Sequence, residues 1–213
     1  MTVTSIPRHI AIELLSDTTF SRGEGTAGQV DIEVEHDDYG LPMVGGRTIR
    51  GLLRDSWLTM CWAFPELNDA AQRVLGPSQA LTDTCILRIG DAHMPSLIRN
   101  TFRQAVSRTQ TPLHRNTVLG AFTTVRYQTA ENRETGAPKD ATLHTSRVVI
   151  RGFVLEAPLT WLHGAKPTVE DKRVLALCCL AVRHGGLLRN RGRGHIQLTL
   201  DGNKTQTHTW AGV

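Results

Sequence analysis

Residues 185–198 read GGLLRNRGRGHIQL, and four glycines and three arginines fall within the first ten of them. Glycine is needed only where φ must be positive or where something comes close to the backbone. Guanidinium groups set between such glycines, here Arg189, Arg191 and Arg193 around Gly192, suit an anion, because each offers a rigid fork of donors. GGRTIRGLLRD (45–55) makes a second site of this kind. Arg47, Arg50 and Arg54 recur at three- and four-residue intervals and so share one face of a helix. Positive charge in the first turns of a helix opposes its dipole. It makes sense where an anion binds, with free N–H groups and arginines converging on it and Gly45 and Gly46 leaving it room. A solvated basic face paired with Asp55 is the plainer alternative.

A third basic stretch lies in the middle of the chain. Residues 97–147 carry eight Arg or Lys, Arg126 and Arg133 among them, against three acids, with Arg151 just beyond. Three separate patches point to a repeating phosphate backbone. The net charge of +4 is modest, so placement says more than the total. Aromatic residues are only 5%, and no strand shows a base-stacking pattern, so contacts that read no sequence should dominate. GEGTAG (23–28) satisfies G-x-G-x-x-G, but β-like sequence follows it, and a dinucleotide site needs a helix there. P-loop, zinc-protease and serine-hydrolase motifs are missing, and the nine histidines show no ligand spacing. The four cysteines, none in C-x-x-C, read as reduced core residues of a cytoplasmic protein, and no signal peptide or membrane span is expected.

The elements that must position these groups follow from periodicity. Residues 8–15 read as a first strand, 47–63 as a helix, 68–75 as a short helix and 84–92 as a strand. VDIEVEHD (30–37) alternates, which predicts an extended segment with Val30, Ile32 and Val34 on one side and an acidic face, Asp31, Glu33 and Glu35, on the other. Little of 97–147 could build a core; 122–128 and 143–157 are candidate arms of a hairpin with NRETGAPKDA at its tip. Thr168 caps a last helix with Glu170 and Asp171 in its first turn, Gly185 ends it, and 194–200 form the last strand. The order is βαββαβ, so the fold class is α+β, a ferredoxin-like (RRM-like) domain over residues 1–201. It carries a basic insertion at 97–147 and a glycine-rich loop before its last strand, and 202–213 read as a polar, peripheral tail.

VDIEVEHDDYGLPMVGGRTIRGLLRDSW resembles the N-terminal signature of the RAMP superfamily of CRISPR-associated proteins. Gly40, Pro42, Gly46, Arg50, Gly51 and Arg54 fill that family's glycine, proline and basic places, and GGLLRNRGRGHI is similar to its C-terminal glycine-rich loop. Residues 129–149, TAENRETGAPKDATLHTSRVV, look like the thumb of type III backbone subunits. The resemblance implies an RNA-binding subunit of a type III CRISPR effector ribonucleoprotein. Its partners would be guide RNA, target RNA, other effector subunits and further copies of itself.

In backbone subunits of this sort an aspartate of the first loop serves metal-dependent cutting of the target, and the matching residue is Asp31. Five of the eight residues 31–38 are acidic, so Glu33, Asp37 and Asp38 stand beside it, with His36 as an acid/base helper. A carboxylate there would hold Mg²⁺, which neutralises charge on the reacting phosphate while phosphate oxygens complete the shell. Three alternatives stay open: a non-catalytic capping or scaffolding subunit, a stand-alone guide-processing ribonuclease, and an unrelated domain that binds a metabolite phosphate. Gly192 and Gly194 are also expected to pack closely against the first helix.

Overall fold

Alternating apolar residues build the central sheet of the computed structural model, which describes residues 5–25, 30–76, 85–139 and 142–213. β1 (His9–Leu14) buries Ile10, Ile12 and Leu14, and β6 (Ile196–Leu200) buries Ile196, Leu198 and Leu200. These residues pair directly across the antiparallel ladder: Ile10 with Leu200, Ile12 with Leu198, Leu14 with Ile196. On its other side β1 pairs with β5 (Val154–Trp161), which pairs in turn with the short β2 (Leu87–Ile89). The strand order is β2-β5-β1-β6, all antiparallel. Period-two alternation in register sends one side of every strand into the same core.

Helices cover that side. α1 (Gly46–Met60) and α2 (Asn68–Leu75) connect β1 to β2, and α5 (Val169–Ala181) connects β5 to β6. α5 packs against α1, α2 and β6 and is buried almost all round. Its start is the predicted one: Thr168 Oγ1 accepts from Asp171 N, and Asp171 Oδ2 accepts from Thr168 N at 2.9 Å. Asp171 is buried and paired with Arg73 of α2 at 2.6 Å, so one carboxylate both caps the helix and ties two helices together.

Burial also decides the cysteine chemistry. Desolvation pushes the Cys178 and Cys179 thiols well above their ordinary range, and Cys85 is buried too. A thiol reagent added to the native protein should therefore modify Cys61 alone at early times, with the other three reacting only on unfolding.

The structure departs from the sequence-based expectation in several places: the last helix ends at Ala181, with Val182 as its C-cap, rather than at Gly185. Residues 30–37 form no regular strand; they make isolated bridges, Ile32 to Ser146 and Ser21 to Val34. The stretch 97–147 does contribute to the core. α3 (Ser96–Val106) and α4 (Arg115–Phe122) precede β3 (Thr123–Gln128) and β4 (His144–Val149), and α4 buries Val118, Leu119 and Phe122. Phe122 lies edge-on to Phe102 at 5.4 Å and beside Phe153 at 5.1 Å, so the basic composition hid an aromatic cluster. The polar tail is α6 (Lys204–Ala211), which packs on α5 and β6 and buries Thr207, Trp210 and Ala211 at helical spacing. Among the described residues no helix is long and apolar enough to cross a membrane.

Candidate nucleic-acid interface

β3 and β4 form a separate two-stranded ribbon in which Arg126 stands opposite Ser146 and Tyr127 opposite Thr145. Directly opposed residues share a face, and successive residues alternate. The ribbon thus presents two faces with different chemistry, and the residues linking its arms, 129–139, are exposed throughout.

The Arg126 face is basic. Arg126 Nη2 donates to Asp17 Oδ2 at 2.5 Å, and Arg193 Nη1 donates to the buried Ser146 hydroxyl at 2.9 Å. Arg193 thereby comes from the glycine-rich loop, 47 residues away in sequence, to the ribbon beside Arg126. Its pKa is lowered, first by desolvation and then by the Arg126 charge, the signature of two cations sharing one region. Arg151 and Gly192 complete an open groove of about 650 Å³. Gly192 has φ +74° and nothing near where a side chain would stand, so a ligand can lie against the backbone there. Arg193→Ala should weaken single-stranded RNA binding for all sequences alike and reduce the salt slope by about one; a nitrocellulose-filter or anisotropy titration across salt concentrations reads both.

The opposite face holds Asp31. Its Oδ2 accepts from Thr145 N at 2.7 Å and from Thr145 Oγ1 at 3.0 Å, while Asp31 N donates to Thr145 Oγ1 at 3.0 Å. The carboxylate is exposed, and the Thr145 backbone N–H, then the Thr145 hydroxyl, hold its pKa below the ordinary value. No hydrogen bond occupies Oδ1 among the described residues, so one oxygen is left for an ion. Among those residues no group of three or more His, Cys, Asp or Glu could hold a metal. Asp31 therefore suits a divalent cation only where the ligand's phosphate oxygens supply the rest of the shell.

The other acids separate by burial, and the predicted acidic face is corrected. Glu33 turns inward, 2% exposed at its side chain, and accepts from Arg147 Nε at 2.8 Å and from Val34 N at 2.9 Å. Asp37 is buried on Arg99 at 2.9 Å and on the N–H groups of Tyr39 and Leu41. Both hold the fold, which leaves Asp31 and Asp38 at the surface. His36 is half-buried with Nδ1 3.1 Å from the Asp37 carbonyl.

The anion expected at the start of α1 belongs to the chain itself. Gly45 N donates to Glu35 Oε2 at 3.0 Å and Gly46 N to Asp91 Oδ1 at 2.8 Å, so two carboxylates fill the site. Gly46 is glycine because a Cβ would collide with the Ile89 carbonyl. Arg50 is likewise consumed by the fold: its guanidinium donates to the Leu75 and Leu87 carbonyls and to Cys85 Sγ. Arg54 lies half-buried in a cleft toward α2, and Arg47 is exposed.

Arg50 therefore does not join the glycine-rich loop. The α1 side that meets that loop carries Thr48, Gly51, Leu52 and Asp55, with Arg189 and Gly186 across a groove of about 310 Å³. Arg189 and Arg191 are exposed on one short 3₁₀ turn, and Arg133 is exposed between the arms of the ribbon. Gly194 packs under the Gly185 carbonyl rather than against α1. Of the predicted residues, then, Arg126, Arg193 and Gly192 converge. Asp17 and Arg151, neither singled out from sequence, join them; Arg151 N donates to Asp17 Oδ1 at 3.3 Å across 134 residues, a separation that leaves no local signal.

Solved structures share this fold, among them two type III-B particles. A chain of "Cryo-EM structure of the Type III-B Cmr-beta bound to cognate target RNA" aligns with TM-score 0.64 and 11% identity over 92% of this chain and 97% of its own. A chain of "Type III-B Cmr-beta Cryo-EM structure of the Apo state" aligns with TM-score 0.66 and 10% identity over 94% and 99%. A comparison with curated proteins finds no match. The sequence itself matches the RAMP superfamily over residues 11–195, which takes in most of β1, the Asp31 segment, the ribbon and the glycine-rich loop, and on that evidence the chain belongs to the RAMP superfamily.

Proposed function

We propose that the chain is an RNA-binding subunit of a type III CRISPR effector ribonucleoprotein, and that it cleaves bound target RNA in a metal-dependent way. The observation that carries this reading is the two-faced ribbon: Arg126 and Arg193 on one side, Asp31 held through Thr145 on the other. A strand of guide RNA on the basic groove would then run past a structure whose far face presents an exposed carboxylate. The similarity to chains of type III-B Cmr-beta particles, one of them bound to target RNA, supports that setting. So does the element order, a helix after each of β1 and β5 and a β2-β5-β1-β6 sheet, which is the arrangement expected of a ferredoxin-like core.

Asp31 would hold Mg²⁺ through Oδ1, with Oδ2 fixed by Thr145 so that the carboxylate cannot swing. A bound ion supplies charge neutralisation at the scissile phosphate. Groove arginines would hold the guide's phosphates on the other face, and no group of three or more His, Cys, Asp or Glu gathers at Asp31 among the described residues. So sparse a ligand set equally favours the second reading, a capping or scaffolding subunit that grips the guide and does not cut.

Co-expression with the neighbouring effector subunits tests the shared part of both readings. The expected result is a complex that retains RNA through purification and loses it in the Arg126→Ala, Arg193→Ala chain. A complex that assembles free of RNA would reject both.

A further inference from the structure

Among the described residues five arginine–carboxylate pairs tie distant parts of this chain together, and three of them are built to last. Asp171, Asp37 and Glu33 have side chains no more than 4% exposed and hold Arg73, Arg99 and Arg147. The other two, Arg173–Glu66 at 3.6 Å and Arg126–Asp17 at 2.5 Å, are more exposed, and of these Arg126–Asp17, with side chains 53% and 19% exposed, lies in the basic groove. Exposed pairs are weakly held and are exchanged easily for another ion.

The surroundings of Asp17 are those of an anion site. Arg126 Nη2 reaches its Oδ2 and the Arg151 backbone N–H its Oδ1, so both oxygens are engaged. Arg193 lies close enough that its ionisation is coupled to both Arg126 and Asp17. Gly192 leaves the backbone beside it uncovered. A phosphodiester carries the same pair of anionic oxygens as a carboxylate and suits the same guanidinium fork.

Resting on the RNA-binding reading above, we propose that Arg126, Arg151 and Arg193 form a phosphodiester subsite that Asp17 occupies in the free chain. Incoming RNA takes Arg126 from Asp17 and seats one phosphate between the arginines. Asp17 holds the ribbon in place beforehand and, once displaced, is a negative charge beside the phosphate. It thereby lowers affinity for stray polyanions and reserves the groove for a strand that makes the other contacts as well.

The test uses the full chain and a labelled, unstructured single-stranded RNA. Asp17→Asn keeps an acceptor for Arg126 and for the Arg151 N–H while removing the charge; it should tighten binding about three- to tenfold at low salt, with the gain shrinking as salt rises. In an Arg126→Gln background the same substitution should gain clearly less, because the pair it competes with is already gone. No gain, or an equal gain in both backgrounds, overturns the subsite. Asp17→Ser, which also keeps an acceptor, is read the same way should the Asn chain not fold by thermal unfolding. Arg193→Ala serves as the control: if it weakens binding and Asp17→Asn does not strengthen it, only the subsite falls, whereas unchanged binding for Arg193→Ala overturns the groove and the subsite together.

Discussion

Asp31→Asn in the reconstituted ribonucleoprotein is expected to lower target-RNA cleavage by at least about a hundredfold while leaving guide binding within about twofold. The substitution keeps the shape of the side chain and an acceptor for Thr145 but removes the charge that would hold the ion. Because Asp31 lies on the ribbon face away from the Arg126–Arg193 groove, guide contacts should be untouched. Thr145→Val, which removes the hydroxyl and keeps the backbone N–H, should cost less, about tenfold, and partly respond to higher Mg²⁺. Cleavage that persists at regular intervals in the Asn complex would leave the scaffolding reading standing.

The lowered pKa of Asp31 adds a second observable. Its folded value lies below its unfolded one, so the stabilisation from Thr145 is complete above the unfolded value and is lost only as pH falls through the folded value. Asp31 therefore stays ionised between about pH 5 and 8, and no limb of the cleavage profile in that range belongs to it.

The largest stability effect should come from Arg147→Met. Removing the cation takes the ion pair with Arg147 from Glu33, whose side chain is 2% exposed, and breaking a buried pair costs about 3 kcal/mol. For a chain of this size that lowers the thermal midpoint by roughly 10 °C. Glu33→Gln should cost less, about 1 kcal/mol, because Arg147 is 13% exposed and keeps some access to water. Combining Arg147→Met with Glu33→Leu should recover much of the loss, since the pair is replaced by apolar packing. An Arg147→Met protein that melts with the unaltered chain would show that the pair does not hold this region. Function should follow stability: Arg147 N also donates to the Ile32 carbonyl, so loosening this seam releases the segment that carries Asp31.

Local features were legible without the fold. Thr168 with Asp171 three residues on marks the start of α5, and the strands read from sequence at 8–15 and 194–200 are β1 and β6, which pair with each other. Such signals need only neighbours along the chain. The arginines of 126 and 193 read as cations from composition alone, and the acidic run around Asp31 was equally plain.

What those charges do was decided by contacts between residues far apart in sequence. Period two in 30–37 predicted a face of three acids but could not reveal that Arg147 waits opposite Glu33, which turns that carboxylate inward and leaves Asp31 outside. The bare N–H groups at the start of α1 invited an external phosphate until Glu35 and Asp91 came to them from 10 and 45 residues away. Arg50, Arg126 and Arg193 are the same residue type in similarly basic stretches, yet one is half-buried on carbonyl oxygens and two face a groove. The reason is physical: a side chain's type fixes its charge, but whether that charge is spent inside the protein or offered to a ligand depends on which partners folding brings within hydrogen-bond reach.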